Sequence, residues 1–213
     1  MKTPSDELFI LIKSLNTQQD AWIKLCEKVK SAIENNDGKQ ICLTHHERLD
    51  GDTGMIQVSA ALRQLEGQQT FQFMVMVPLG VAQQPGMQVA VYPKQVWEKL
   101  RNSGRLGPGD EAQVKDVRLT YVLCHPAGCT AEVEATAALI AALKTDAGAV
   151  AHAFDSAGKK VSFPIPLAGF AQALEGPPVD NKKYAEARQA QMQKIARRQQ
   201  ELRDAYHKKS RQN

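Results

Sequence analysis

Between Phe71 and Val77 the chain sets Phe71, Phe73, Val75 and Val77 alternately with Gln72, Met74 and Met76. Successive side chains on an extended strand point to opposite faces, so a period of two fits one face of a sheet and excludes a helix. The run stops at Pro78-Leu79-Gly80, and runs like it recur between Gly, Pro and Asp turn residues. Residues 22–29 and 40–47 read as a hairpin around Asp37-Gly38, a pair that accepts positive φ. Residues 55–65 pair with 70–77 across Glu66-Gly67. Residues 88–92 form a short strand, 113–124 and 129–134 another hairpin, and 149–155 with 160–166 a last one around Ser156-Ala157-Gly158. About eight short strands at this turn spacing predict a mainly β domain, a β-sandwich or barrel-like fold with small helices.

Helices are the exception in this stretch. Residues 95–102 read as a helical excursion with Val96, Trp97 and Leu100 inward. Residues 135–144 are rich in Ala and Leu and have high helix propensity. Residues 167–174 read as a short helix or turn, and residues 4–15 as a helix capped by Ser5 with Leu8, Leu11, Ile12 and Leu15 on one face. Residues 104–110 read as a Gly/Pro loop. It is no phosphate cradle, because no Lys-Ser/Thr follows its glycines. Asp50-Gly51-Asp52-Thr53-Gly54 reads as a plain turn, since it lacks the spaced oxygens and closing Glu of a calcium loop.

Past Val179 the chain changes character. Gly, Pro and Phe vanish, and Ala, Gln, Lys and Arg take over. Asp180 is placed to cap a helix running to about Tyr206, with Met192, Ile195, Gln199, Leu202 and Tyr206 as a thin apolar stripe. From Asn181 onward ten Lys/Arg face three acids, a net of +7. The rest of the chain holds seventeen against twenty, a net of −3, so the total of +4 hides a split. The chain divides into an N-terminal helix or extension (1–20), a β domain (21–178) and a basic helical tail (179–213). Lys182, Lys183, Arg188, Lys194, Arg197, Arg198 and Arg203 are the candidate partner-binding residues. The expected partner is a protein or an anionic membrane surface. Nucleic acid ranks last, because the body lacks basic patches interleaved with aromatics.

Four cysteines, Cys26, Cys42, Cys124 and Cys129, permit complete pairing. Proximity favours Cys26–Cys42, which the first hairpin brings together, and Cys124–Cys129. Closing the first loop would stabilise the fold by roughly 3 kcal/mol in the chain-entropy model. Buried thiols remain an alternative. So does a zinc site drawing on His45, His46 and His125, although no Cys-x2-Cys pair is present. No apolar run approaches the length of a transmembrane helix. The apolar stretch Leu8–Ile12 is short and follows acids, which does not make a signal peptide.

Enzyme chemistry finds little support. No Gly-x-Ser-x-Gly or His-Glu-x-x-His occurs. His45 and His46 on a strand would face opposite ways, which suits chelation poorly. His125 reads as an exposed loop histidine. We therefore expect no enzyme, no cofactor and no metal.

The order of several motifs resembles the invasion-associated locus B family of bacterial envelope proteins. The motifs are Trp22-x3-Cys26 with Cys42, then Pro78-Leu79-Gly80-Val81 with Gly86. Cys124-His125-Pro126-Ala127-Gly128-Cys129-Thr130-Ala131 follows, and Val161-Ser162-Phe163-Pro164-Ile165-Pro166-Leu167-Ala168-Gly169-Phe170 completes the set. The resemblance spans about residues 22–174. It implies a compact β domain exported to the periplasm or cell surface of a Gram-negative bacterium, in some members associated with host-cell invasion. It also strengthens the disulfide reading, because an oxidising compartment suits paired cysteines. It carries over no catalytic residue. The departures are the absence of an export signal, the extra residues at about 94–113, and the basic tail. The first of these leaves two expectations: a mature form with an added Met1, or a different location.

Overall fold

The computed structural model describes residues 21–28, 38–145 and 147–210. The helix expected over 4–15 and most of the turn at 34–38 lie outside them. Nine strands are present: β1 (Ile23–Lys28), β2 (Gln40–Leu49), β3 (Ile56–Leu65), β4 (Phe71–Val77), β5 (Met87–Tyr92), β6 (Lys115–His125), β7 (Gly128–Ala135), β8 (Gly148–Phe154) and β9 (Lys160–Pro166). They form one antiparallel sheet in the order β1-β2-β3-β4-β7-β6-β5-β8-β9. The mainly β expectation holds, with two refinements. Nine strands lie among the described residues rather than about eight, and they form a single curled sheet, the barrel-like of the two expected alternatives. The expected hairpins form, and β4–β7 and β5–β8 join them into one ladder.

Curling makes the concave face the core. Phe73, Val75 and Val77 from β4 are buried there with Val58, Ala60 and Leu62 from β3 and Val89, Val91 and Leu119 from further round. Burying each such side chain stabilises by roughly 1.5–3 kcal/mol. The curl brings the two sheet edges together without pairing them. Trp22, just before β1, donates its indole Nε1–H to the carbonyl of Pro166 at the end of β9, 2.7 Å away. Its ring meets Phe170 edge-on at 4.9 Å and lies 5.3 Å from the buried His46. Phe170 opens a short helix, the fourth of five among the described residues. These are α1 (Lys94–Ser103), α2 (Pro108–Glu111), α3 (Ala137–Thr145), α4 (Phe170–Glu175) and α5 (Asn181–Ser210).

Both edges are blunted. Pro164 and Pro166 remove N–H donors from β9, a device suited to an edge strand. At β1, Val179 donates its backbone N–H to the Lys24 carbonyl at 2.8 Å, and the Asn181 side chain donates to the Cys26 carbonyl at 2.9 Å. The Lys24 ammonium donates to the carbonyls of Leu174 and Gly176. The segment leaving α4 therefore closes the β1 edge before α5 begins.

The extra residues after β5 have a packing role. Val96, Trp97 and Leu100 of α1 cover Ala90, Tyr92 and Val150 on the convex face. That explains why β5 and β8 are apolar almost throughout, for they are buried on both sides. Gly148 belongs to the same contact, since a Cβ there would fall 2.3 Å from the Trp97 ring. Two boundaries differ from expectation. The loop read at 104–110 contains the turn α2, started by Pro108, whose fixed φ suits a first helical position. Helix α3 starts at Ala137 because β7 keeps its pairing with β4 through Ala135. Among the described residues no helix is long and apolar enough to cross a membrane.

Replacing Trp22 by Phe keeps a ring but removes the donor to Pro166. We expect a loss of about 1–2 kcal/mol in urea unfolding, the usual cost of stranding a half-buried acceptor.

Candidate functional site

Helix α5 begins where Asp180 caps it. The Lys183 N–H donates to Asp180 Oδ1 at 2.8 Å, as the sequence suggested. The helix then lies along the outer side of β2 and passes over the β2–β3 turn. Its inner line is Tyr184, Arg188, Ile195 and Gln199, the residues it does not leave fully exposed. Besides the Asn181 bond to Cys26, three contacts among the described residues hold it. Arg188 forms an ion pair with Glu47 of β2 and lies 3.5 Å from the Tyr184 hydroxyl. Met192 and Ile195 rest on Gly54, where a Cβ would come 3.2 Å from each. Arg198 pairs with Asp52 at 2.8 Å. Gly54 meets two demands at once, a φ of +68° and the close approach of a helix.

Two of the seven cations singled out for a partner therefore hold the helix to its own domain. Arg188 and Arg198 do so, while Lys182, Lys183, Lys194, Arg197 and Arg203 are exposed. Glu47, Asp52 and Gly54 were missed as the receiving surface. The only hint in the sequence was the acidic turn at residues 50–52, opposite in charge to the tail. Asp50 takes no part in the latch. Its Oδ1 accepts from the Thr53 hydroxyl, the Thr53 N–H and the Asp52 N–H, and these bonds hold its carboxyl below the usual range. The plain-turn reading of this loop fits that geometry.

Next to the latch, His45 lies 3.1 Å from the Ser59 hydroxyl. Burial lowers the pKa of His45, with Glu47 acting against and Arg188 reinforcing the effect. His46 points the other way into the core, the opposite-face arrangement expected of neighbours on a strand. His152, on β8, is pushed down to about 4 by burial and by Lys160, and contacts the Ser162 hydroxyl at 2.9 Å.

Both disulfides are present, Cys26–Cys42 and Cys124–Cys129. Each joins residues directly opposite one another in the ladder, β1 to β2 and β6 to β7. The cysteines are thus neither thiols nor zinc ligands. His125 is exposed in the second hairpin, and its Nδ1 accepts the Ala127 N–H at 3.2 Å. Beneath that tip Gly128 packs so closely on β4 that a Cβ would fall 2.4 Å from the Val77 carbonyl oxygen. A bulge before Leu123 leaves both Val122 and Leu123 exposed, which the alternating pattern did not suggest.

The hairpin with its disulfide, α3, β8, β9 and α4 all fall within residues 109–178, which match the family model described as Invasion associated locus B (IalB) protein. This part of the chain is similar to the invasion-associated locus B family. Its two carrying motifs, residues 124–131 and 161–170, are those that suggested the resemblance. A crystal structure of invasion associated protein b from Bartonella henselae is similar at 16% identity and a TM-score of 0.47. The match covers 64% of this chain and 88% of that one. No curated protein matches the chain. Helix α5 lies outside the matched invasion-associated locus B residues, and so does the latch surface on β2 and the β2–β3 turn.

Gly128→Ala should destabilise by about 2 kcal/mol or more in denaturant titration, because the Val77 backbone cannot yield cheaply. The lowered histidines predict a pH slope. In the unfolded chain His152 binds its proton near pH 6.5, in the folded one only near pH 4. The unfolded state therefore holds more protons between these values, and stability falls as pH drops through that window, by up to about 3 kcal/mol from this residue. His45 adds to the fall. His152→Asn should flatten the slope in urea titrations run at pH 7.5, 6 and 4.5.

Proposed function

We propose that this is a non-catalytic exported envelope protein that acts as a protein- or surface-binding module through α5. Its place is the periplasm or the cell surface. The observation that carries this reading is the placement of α5. It lies outside the core, is held by two ion pairs, one glycine contact and the Asn181 bond to Cys26, and leaves Lys182, Lys183, Lys194, Arg197 and Arg203 exposed. The match of residues 109–178 to the invasion-associated locus B family supports an envelope setting, and with it an association with host-cell invasion. Two disulfides suit an oxidising compartment. A second reading, favoured by the exposed Leu202 and Tyr206 of α5, is a structural subunit whose helix packs permanently into a larger envelope or membrane-associated complex.

Removing residues 186–213 leaves Val179 and Asn181 on the β1 edge, so the body should keep its cooperative unfolding. Retention on isolated envelope fractions should be lost. Salt separates the two readings. Attraction between exposed charges weakens over 0.05–0.5 M NaCl, about the range where the Debye length drops from near 14 Å to near 4 Å, while a buried apolar seam survives. Equal retention with and without the helix would refute the proposal.

A further inference from the structure

We propose that the outer end of α5 is one half of a helix pair, and that its partner is an acidic amphipathic helix on another protein. This rests on α5 being the binding element and names the kind of partner it takes. Met192, Ile195, Gln199, Leu202 and Tyr206 follow alternating steps of three and four, the spacing of a heptad seam. The first two positions are occupied by Gly54. Beyond the Arg198–Asp52 contact the seam continues with no described residue of the body beneath it. Leu202 is 50% exposed and Tyr206 72%. From Gln199 to Ser210 the helix runs on for about 18 Å.

Charge selects the partner. With Gln199 and Tyr206 at a and Leu202 at d, Arg203 falls at e, a position that faces a partner helix across the seam, while Arg198 falls at g with its Nε already on Asp52. Glu201 and Asp204 fall at c and f, turned away, and Asp204 accepts from the Gln200 amide at 3.0 Å. Along one flank a shallow groove runs over Leu202 and Ala205, with Arg198 and Ala205 at g beside the seam and Lys194, Arg197 and Glu201 turned away with the acids. A second copy of this helix would oppose Arg198 to Arg203 in parallel, or each arginine to itself in antiparallel. Both arrangements place like charges together at the positions that decide pairing. A membrane surface fits less well, because interfacial binding needs a broad apolar face and this segment offers a two-residue stripe with cations on both flanks. A helix with Leu or Ile at a and d and Glu at e and g meets both the stripe and its flanking charges.

The test uses the full chain and three probes. They are a fluorescent four-heptad peptide with Glu at e and g, the same peptide with Lys there, and vesicles of phosphatidylcholine with phosphatidylglycerol. Sedimentation of the chain alone reports self-association. The Glu peptide should bind and the Lys peptide should not. Leu202→Asp should weaken Glu-peptide binding at least tenfold, and Arg203→Glu severalfold. Both positions are exposed, so circular dichroism should be unchanged. Equal binding of both peptides, or indifference to Leu202→Asp, overturns the pairing. Vesicle binding without peptide binding overturns it while leaving α5 as a binding element, and so does a concentration-dependent dimer. Loss of every probe together with unaltered envelope retention after removal of residues 186–213 overturns both readings.

Discussion

A sheet that curls until its first and last strands meet, without pairing them, must satisfy two edges at once, and Trp22 is where this chain does so. Its indole N–H reaches the last carbonyl of β9, and its ring fills the space between Phe170 and His46. An unpaired edge is costly when buried and adhesive when exposed. One aromatic residue with a polar end suits such a seam, being apolar where the core needs filling and a donor where a carbonyl would be stranded. The position of α4, the course of the segment after it and the starting point of α5 all follow from how that gap is closed.

The local grammar was largely legible. The alternation at residues 71–77, the glycine turns and the inward face of the helix after β5 appear where the residues put them. The joining of these pieces was not legible. Alternation says that a strand has two faces but not which strand lies beside it, so β4–β7 and β5–β8 pairing is invisible locally, and a sandwich and one curled sheet write the same pattern. The apolar β5 and β8 carried a clue, since strands without alternation need cover on both faces.

The same division holds for the helix. Its start at Asp180, its cationic surplus and its thin stripe could be read directly. Its seat could not. Arg188 and Glu47 are 141 positions apart, and a carboxylate on a half-buried strand looks in sequence like any solvated one. Gly54 illustrates the difficulty. As a turn residue it was recognised, but its missing side chain also makes room for Met192 and Ile195, and only the packed helix gives that absence its second meaning.

The position of the Cys26–Cys42 bond has a mechanical consequence. β1 is the sheet's outermost strand, and its pairing with β2 begins at Ile23. Tension applied through the N-terminus would peel this strand one residue at a time, the weak direction for a ladder. Peeling would first have to break the Trp22 bond to Pro166 and the bonds of Lys24 to Leu174, Gly176 and Val179, and would then meet a covalent stop at Cys26. From there the load passes to β2, which is held along both sides by β1 and β3. For a protein anchored or pulled at an envelope, the bond would turn a strand that unzips into one that must be torn out with its neighbour.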